Sequence, residues 1–173
     1  GLGTVFKMET DGNGFAILNS FARGPGDGSN PEGSLIAQDG ILYGMTAYGG
    51  GYNRGTVFRI KTDGIEFTTL HEFSGRANDG GHPKGTLLLS GSLLYGMTHP
   101  ASEYEHIGAV FALDISGTYF SLLHAFSGGG NDGAWPMGSP IGVGSSLFGM
   151  TSGGGDSDLG VIFSLPLPVL PLW

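Results

Sequence analysis

The sequence predicts an all-β, propeller-like fold of three four-stranded blades of about 52 residues each, plus one extra terminal strand. The first observation behind this is periodicity. The segments Gly3-Thr4-Val5-Phe6, Gly55-Thr56-Val57-Phe58, Gly108-Ala109-Val110-Phe111 and Gly160-Val161-Ile162-Phe163 begin 52, 53 and 52 residues apart. The second is that other features recur in the same register. These are Leu42-Tyr43-Gly44-Met45-Thr46, Leu94-Tyr95-Gly96-Met97-Thr98 and Leu147-Phe148-Gly149-Met150-Thr151, with a phenylalanine (Phe21, Phe73, Phe126), an Asp-Gly pair and a proline (Pro31, Pro83, Pro136) between them. Fixed features at such a period mark stacked supersecondary units. The third is composition: 35 glycines with 39% hydrophobic and only 13% charged residues describe a chain that turns often yet keeps a core.

Each repeat reads as four strands. Gly-Thr-Val-Phe opens the first, which runs to about Met8 and ends at the turn Thr10-Asp11-Gly12, repeated as Thr62-Asp63-Gly64. The second alternates, which places Phe67, Thr69, His71 and Phe73 on one face, as it does Phe15, Ile17, Asn19 and Phe21, or Phe120, Leu122, His124 and Phe126. A polar loop with the Asp-Gly and the proline leads to a third strand (Ser34 to Ala37, Thr86 to Leu89). A tight turn then gives the Leu-Tyr-Gly-Met-Thr strand. Four short antiparallel strands make one propeller blade. The expected blades are residues 3–54, 55–107 and 108–159 of a single repeat domain spanning 1–164, with an orphan strand at 160–164 and a Pro/Leu-rich tail at 165–173. The mid-strand glycines Gly44, Gly96 and Gly149 are read as packing devices, where a strand pressed against the next blade has no room for a side chain.

Composition also excludes function classes. Fifteen acids against seven bases give a formal charge of −8 with no basic cluster, so nucleic acid is not an expected partner. Without cysteine there is neither disulfide nor thiol chemistry. No apolar run reaches the ~18 to 20 residues of a membrane-spanning helix. A start at Gly1 rather than methionine reads as a processed product and favours export.

Leu-Tyr-Gly-Met-Thr, a following glycine triplet (Gly49 to Gly51, Gly153 to Gly155), Gly-Thr-Val-Phe and Asp-Gly-x-x-Pro-x-Gly together resemble the GloVer tandem repeat of bacterial "choice-of-anchor" exported proteins. The likeness covers residues 1 to about 164. It implies an extracellular or cell-surface β-propeller-like protein, and it implies no reaction. The second copy departs from the pattern, with His99-Pro100-Ala101-Ser102-Glu103-Tyr104-Glu105-His106-Ile107 where the triplet belongs. The run Ser164-Leu165-Pro166-Leu167-Pro168-Val169-Leu170-Pro171-Leu172-Trp173 is similar to the opening of a Pro-Leu-Pro sorting tail. Its alternating prolines favour extended or polyproline-like backbone, and an apolar tail packed over the domain or a neighbouring chain explains it equally well.

Few residues suggest chemistry. The repeated Asp27, Asp79 and Asp132 offer a hard cation one carboxylate per loop, whereas an aspartate shaping its own turn accounts for the same spacing, so no metal or other cofactor is expected. His71 and His124 stand where the first copy has Asn19, which suggests a repeated bond tying strand to loop. His99, Glu103, Glu105 and His106 are the densest His and carboxylate group, a weak zinc pattern in a loop. No Ser-His-Asp set, phosphate loop or paired carboxylates stand out, so no catalytic residue is assigned and no enzymatic activity is expected.

The copies differ inside the shared loop, where Asn30, His82 and Trp135 fill the slot before the proline and Glu32, Lys84 and Met137 the slot after it. Variable side chains on a constant scaffold mark a surface facing solvent, a ligand or another subunit. Asn30, His82 and Trp135 with Tyr48 and Tyr52 are therefore the candidate ligand-binding residues, an extracellular glycan being the ligand their aromatic rings suit. Closure points elsewhere, since propellers have about four to eight blades and three do not close a ring. Other copies of the chain are the expected partners, with Gly160, Val161, Ile162 and Phe163 as the assembly strand of a homo-oligomer, filament or tube.

Overall fold

The computed structural model describes residues 1–100 and 107–168. Among these every regular element is a strand. In chain order they are Thr4–Lys7 (β1), Ala16–Ser20 (β2), Gly28–Ser29 (β3), Ile36–Gln38 (β4), Ile41–Thr46 (β5), Tyr48–Gly49 (β6), Thr56–Lys61 (β7) and Thr68–Glu72 (β8). Then follow Gly81–Ser90 (β9), Leu93–His99 (β10), Ala109–Asp114 (β11), Phe120–Ala125 (β12), Gly133–Pro136 (β13), Ile141–Val143 (β14), Ser146–Gly154 (β15) and Ile162–Pro166 (β16).

The sheets are antiparallel meanders. Blade I runs β4-β5-β7-β8 and blade II β9-β10-β11-β12. In blade III, β13 and β14 both pair with β15, whose other edge carries β16. β1 and β2 form a separate hairpin. β13 and β14 together match the single long β9, as β3 and β4 do in blade I. Each blade thus has an inner strand, the Leu-Tyr-Gly-Met-Thr strand, the Gly-Thr-Val-Phe strand and an outer strand.

The phase differs from the expected boundaries at 3–54, 55–107 and 108–159. Each sheet joins the last two strands of one sequence copy to the first two of the next, through Leu42↔Ile60 and Gly44↔Phe58 in blade I and Leu94↔Leu113 and Gly96↔Phe111 in blade II. Periodicity sets the length of a repeat and leaves its phase open. Pairing chemistry decides the phase: the glycine of Leu-Tyr-Gly-Met-Thr lies opposite the phenylalanine of the following Gly-Thr-Val-Phe. A Cβ on Gly44 would sit 2.6 Å from the Phe58 ring, and Gly96 and Gly149 meet Phe111 and Phe163 in the same way. The segment at 160–164 is therefore not an orphan. Its strand pairs with β15 in the same chain, and hydrogen-bonded sheet extends to Pro166, with the Leu167 N–H donating to the Ser145 carbonyl at 2.8 Å.

The core lies between blades, because the sheets of blades I and II bury both faces. On β5 and β7, Tyr43, Met45 and Val57 face blade II while Leu42, Phe58 and Ile60 face the N-terminal hairpin. On β10 and β11, Leu94, Phe111 and Leu113 face blade I, whereas Tyr95, Met97 and Val110 face blade III. The outer strands do not keep the expected single face: Phe67 joins the hairpin–blade I core and Phe73 the blade I–II core. A bulge at the same place in every outer pairing, at Val5/Phe6, Val57/Phe58 and Val110/Phe111, breaks the alternation. The phenylalanine so turned packs edge-on to the next blade, with Phe21 on Phe58, Phe73 on Phe111 and Phe126 on Phe163 at 5.3, 5.3 and 5.1 Å between ring centres.

Candidate functional site

The repeated aspartate is a turn clamp. Asp79 accepts hydrogen bonds from the Ser74 N–H and hydroxyl, both at 2.6 Å, and its other oxygen lies 2.6 Å from His71 Nε2. Asp132 does the same with Ser127 and His124. Burial pushes both carboxyl pKa values up, but the hydrogen bonds led by His71 and His124 outweigh it and hold both below the ordinary value. Asp27 takes the Ala22 N–H at 2.7 Å, but Asn19 is too short to complete the set, and its buried Nδ2 finds no partner among the described residues. His71 and His124 thus tie strand to loop, and the first copy lacks that tie. Among the described residues no group of three or more His, Cys, Asp or Glu is placed to hold a metal ion. His99 is described, while Glu103, Glu105 and His106 lie outside the described residues.

The variable slot has a common geometry. Asn30, His82 and Trp135 all take left-handed φ values of 58°, 50° and 54°. Each N–H donates to the preceding blade or hairpin, at the carbonyls of Leu2, Arg54 and Ile107. The structure brings some of the candidate ligand residues together. Tyr48 and His82 stack edge-on at 4.8 Å across the junction of blades I and II. Arg54 donates to His82 Nε2 at 2.9 Å, so Nδ1 carries the proton toward the Ala47 carbonyl at 2.8 Å. Burial lowers the His82 pKa; the Ala47 bond opposes this, and the Arg54 and Lys84 charges lower it further. Beside it Lys84 and Glu32 form an ion pair at 3.2 Å between blades I and II. Tyr52 stands apart, exposed, with the Arg76 guanidinium 6.0 Å from its ring centre. Trp135 is exposed on blade III and lies against the Gly153 backbone, where a Cβ would sit 2.5 Å from its ring.

Two features were not legible as sites in the sequence. One is a ladder along the inner strands: the Ser34 N–H donates to Thr86 Oγ1 at 3.0 Å, and the Thr86 N–H to Ser139 Oγ at 2.7 Å. Gly33 and Gly85 lie so close to the Gly85 and Gly138 carbonyls that any side chain would collide, whereas space at Gly138 is open. The other is a pair of apolar flanks. Met150 and Ile162 on blade III are 61% and 79% exposed, yet their counterparts Met45, Met97, Val57 and Val110 are all at 5% or less. On the hairpin Phe6 and Met8 are 54% and 57% exposed, and their counterparts Phe58, Ile60, Phe111 and Leu113 are at 0%. Of the expected assembly strand, Ile162 lies on the open flank and Phe163 faces blade II.

Stacked four-stranded antiparallel sheets with cores between them define the chain as a β-propeller-like tandem-repeat protein. It belongs to the Gloeobacter/Verrucomicrobia repeat family, whose model matches residues 1–168. No curated protein sequence matches it. Among solved structures it is similar to a chain of a nidogen/laminin complex at 15% identity and a TM-score of 0.62, covering 96% of this chain and 52% of that one. It is also similar to a putative TolB from Agrobacterium tumefaciens (16% identity, TM-score 0.49, 96% and 51% covered) and to the tricorn protease (14%, 0.51, 99% and 15%). The chain spans about half the length of the first two. At these identities the likeness concerns fold alone.

Proposed function

We propose that the chain is a non-catalytic structural repeat protein, extracellular or at the cell surface, that self-assembles through its blade edges and terminal strand. One observation carries this reading: positions sealed between blades elsewhere lie open at both ends of the stack, at Phe6 and Met8 on one side and Met150 and Ile162 on the other. Apolar patches of this kind mark interaction surfaces, and uncovered they favour aggregation. Membership of the Gloeobacter/Verrucomicrobia repeat family is compatible with that location, and among the described residues no helix is long and apolar enough to cross a membrane. Light scattering or electron microscopy of the purified chain is expected to find an oligomer or polymer. A folded monomer at all accessible concentrations sinks the reading.

A second reading, a lectin-like module, draws on the shared left-handed backbone of Asn30, His82 and Trp135, which presents one variable side chain per blade from equivalent corners. Exposed Trp135 and Tyr52 supply stacking surface for a sugar. Binding on a glycan array that disappears in Trp135→Ala supports it; an array without signal removes it.

A further inference from the structure

We infer that the corner where blades I and II meet is an acid-released latch: Arg54 is held by His82 while that imidazole is neutral, and let go when it takes up a proton. The corner has a full four-stranded sheet on either side. Its backbone is built as at the other junctions, where the slot N–H donates to the carbonyl of the residue before Gly3, Gly55 or Gly108, that is Leu2, Arg54 or Ile107. The side chains differ. Leu2 with Asn30 and Ile107 with Trp135 carry no group that titrates near neutral pH, whereas Arg54 with His82 does.

A neutral imidazole has one N–H donor and one bare nitrogen that accepts. At His82 both are used. Arg54 Nη1 donates to Nε2 at 2.9 Å, and Nδ1–H donates to the Ala47 carbonyl at 2.8 Å. A guanidinium can only donate and stays charged, so the contact requires Nε2 to be bare. A proton added there turns the acceptor into a second donor. The hydrogen bond is lost, and two positive groups face each other at bonding distance. The Ala47 bond needs only Nδ1–H and survives protonation. The ring therefore keeps its seat on blade I, and Arg54, which is partly exposed, is the group that moves.

The surroundings do not absorb the added charge. Lys84, on the same strand as His82, is a second cation, and the carboxylate at this corner, Glu32 of blade I, is already engaged by Lys84 at 3.2 Å. Tyr48 of β6 contributes an edge-on ring at 4.8 Å. From β10 comes another imidazole, His99, where the other copies have Ala47 and Ser152. Burial, then the Lys84 and His82 charges, lower the His99 pKa against the pull of Glu32. At His82 burial leads, opposed by the Ala47 bond, with Arg54 and Lys84 lowering the pKa further and Glu32 raising it. Both folded values thus lie below the unfolded value of about 6.5. The unfolded chain binds more protons in that window, so stability is full above about pH 6.5 and falls as pH drops toward the folded values. Opening is local. The His82 N–H keeps its 2.6 Å bond to the Arg54 carbonyl, and Tyr43, Met45 and Phe73 stay packed with Leu94 and Phe111.

The latch requires neither a second chain nor a sugar, so its test stands apart from those of the two readings above. His82→Asn puts in the slot the residue that the first copy carries at Asn30, on the same left-handed backbone, and is expected to fold. Between about pH 7 and about pH 5 the urea midpoint of the wild type is expected to fall, and that of His82→Asn to fall less. His71 and His124 are common to both proteins and cancel in the comparison. Equal losses overturn the latch. In the wild type, nitrogen NMR spectra are expected to show His82 as the Nδ1–H tautomer at neutral pH and titrating below about 6.5. The order of the Arg54 Nε–H, read by NMR relaxation, is expected to fall along the same curve. A His82 that titrates at or above about 6.5, or an Arg54 that stays ordered once His82 is charged, overturns the latch as well. Arg54→Leu, which reproduces Leu2 of the first copy, is expected to move the His82 titration upward. An unmoved titration removes the repulsion on which release depends and overturns it too.

Discussion

Gly96 shows how one atom sets the spacing of a blade. A methyl group there would sit 2.7 Å from one Phe111 ring carbon and 3.1 Å from Leu87, in a sheet packed on both faces. The backbone is not left-handed at this glycine, so the effect of a substitution is purely one of space. Gly96→Ala is expected to cost about 1–3 kcal/mol in urea unfolding, with partial recovery in Gly96→Ala/Phe111→Leu. An unchanged midpoint would show that Phe111 can move aside. At Asp79 and Asp132 the folded carboxyl is depressed below its ordinary value of about 3.9. Stability from these clamps is therefore present above about pH 4 and lost as pH falls through the folded values. Asp79→Asn is expected to lower stability near neutrality by about 1–3 kcal/mol and to flatten the acid limb of stability against pH, as read by thermal unfolding. Glycine recurrence at position 96 and its counterparts was visible in the sequence. The Phe111 ring that requires it was not, because the contact depends on which strands pair.

At the scale of the element, the loop clamp is uneven across copies. His71 stacks on Phe120 at 4.0 Å and reaches Asp79, while Asn19, its counterpart, leaves a buried amide unpartnered. Asn19→His is expected to reach Asp27, stack on Phe67 and raise stability by about 0.5–1.5 kcal/mol in chemical denaturation. A loss of stability would mean that the hairpin backbone holds the ring away from Asp27. The bond between this strand and its loop could be read from the equivalence of Asn19, His71 and His124 together with the aspartate spacing. The split of Phe67 and Phe73 into opposite cores could not, because strict alternation gives way to a bulge that only paired strands reveal.

For the whole molecule, the blade interface is made twice between complete sheets or nearly complete ones and stands half-made at each end. The exposed set Phe6, Met8, Met150 and Ile162 is apolar, so association should be little weakened by salt that screens charges within about 10 Å. Sedimentation in about 0.1 M and 1 M NaCl is expected to give the same oligomer. Dissociation at high salt would instead assign the contact to charged loop residues such as Glu32 and Lys84. The sequence by itself determined the repeat length, the four strands per repeat and the blade class, because each is written locally as motif, alternation and turn. Tertiary structure alone decided which strands form one blade, which faces are sealed and which lie open. A tandem repeat reads the same from any starting strand, and only the fit of one blade against the next selects the phase.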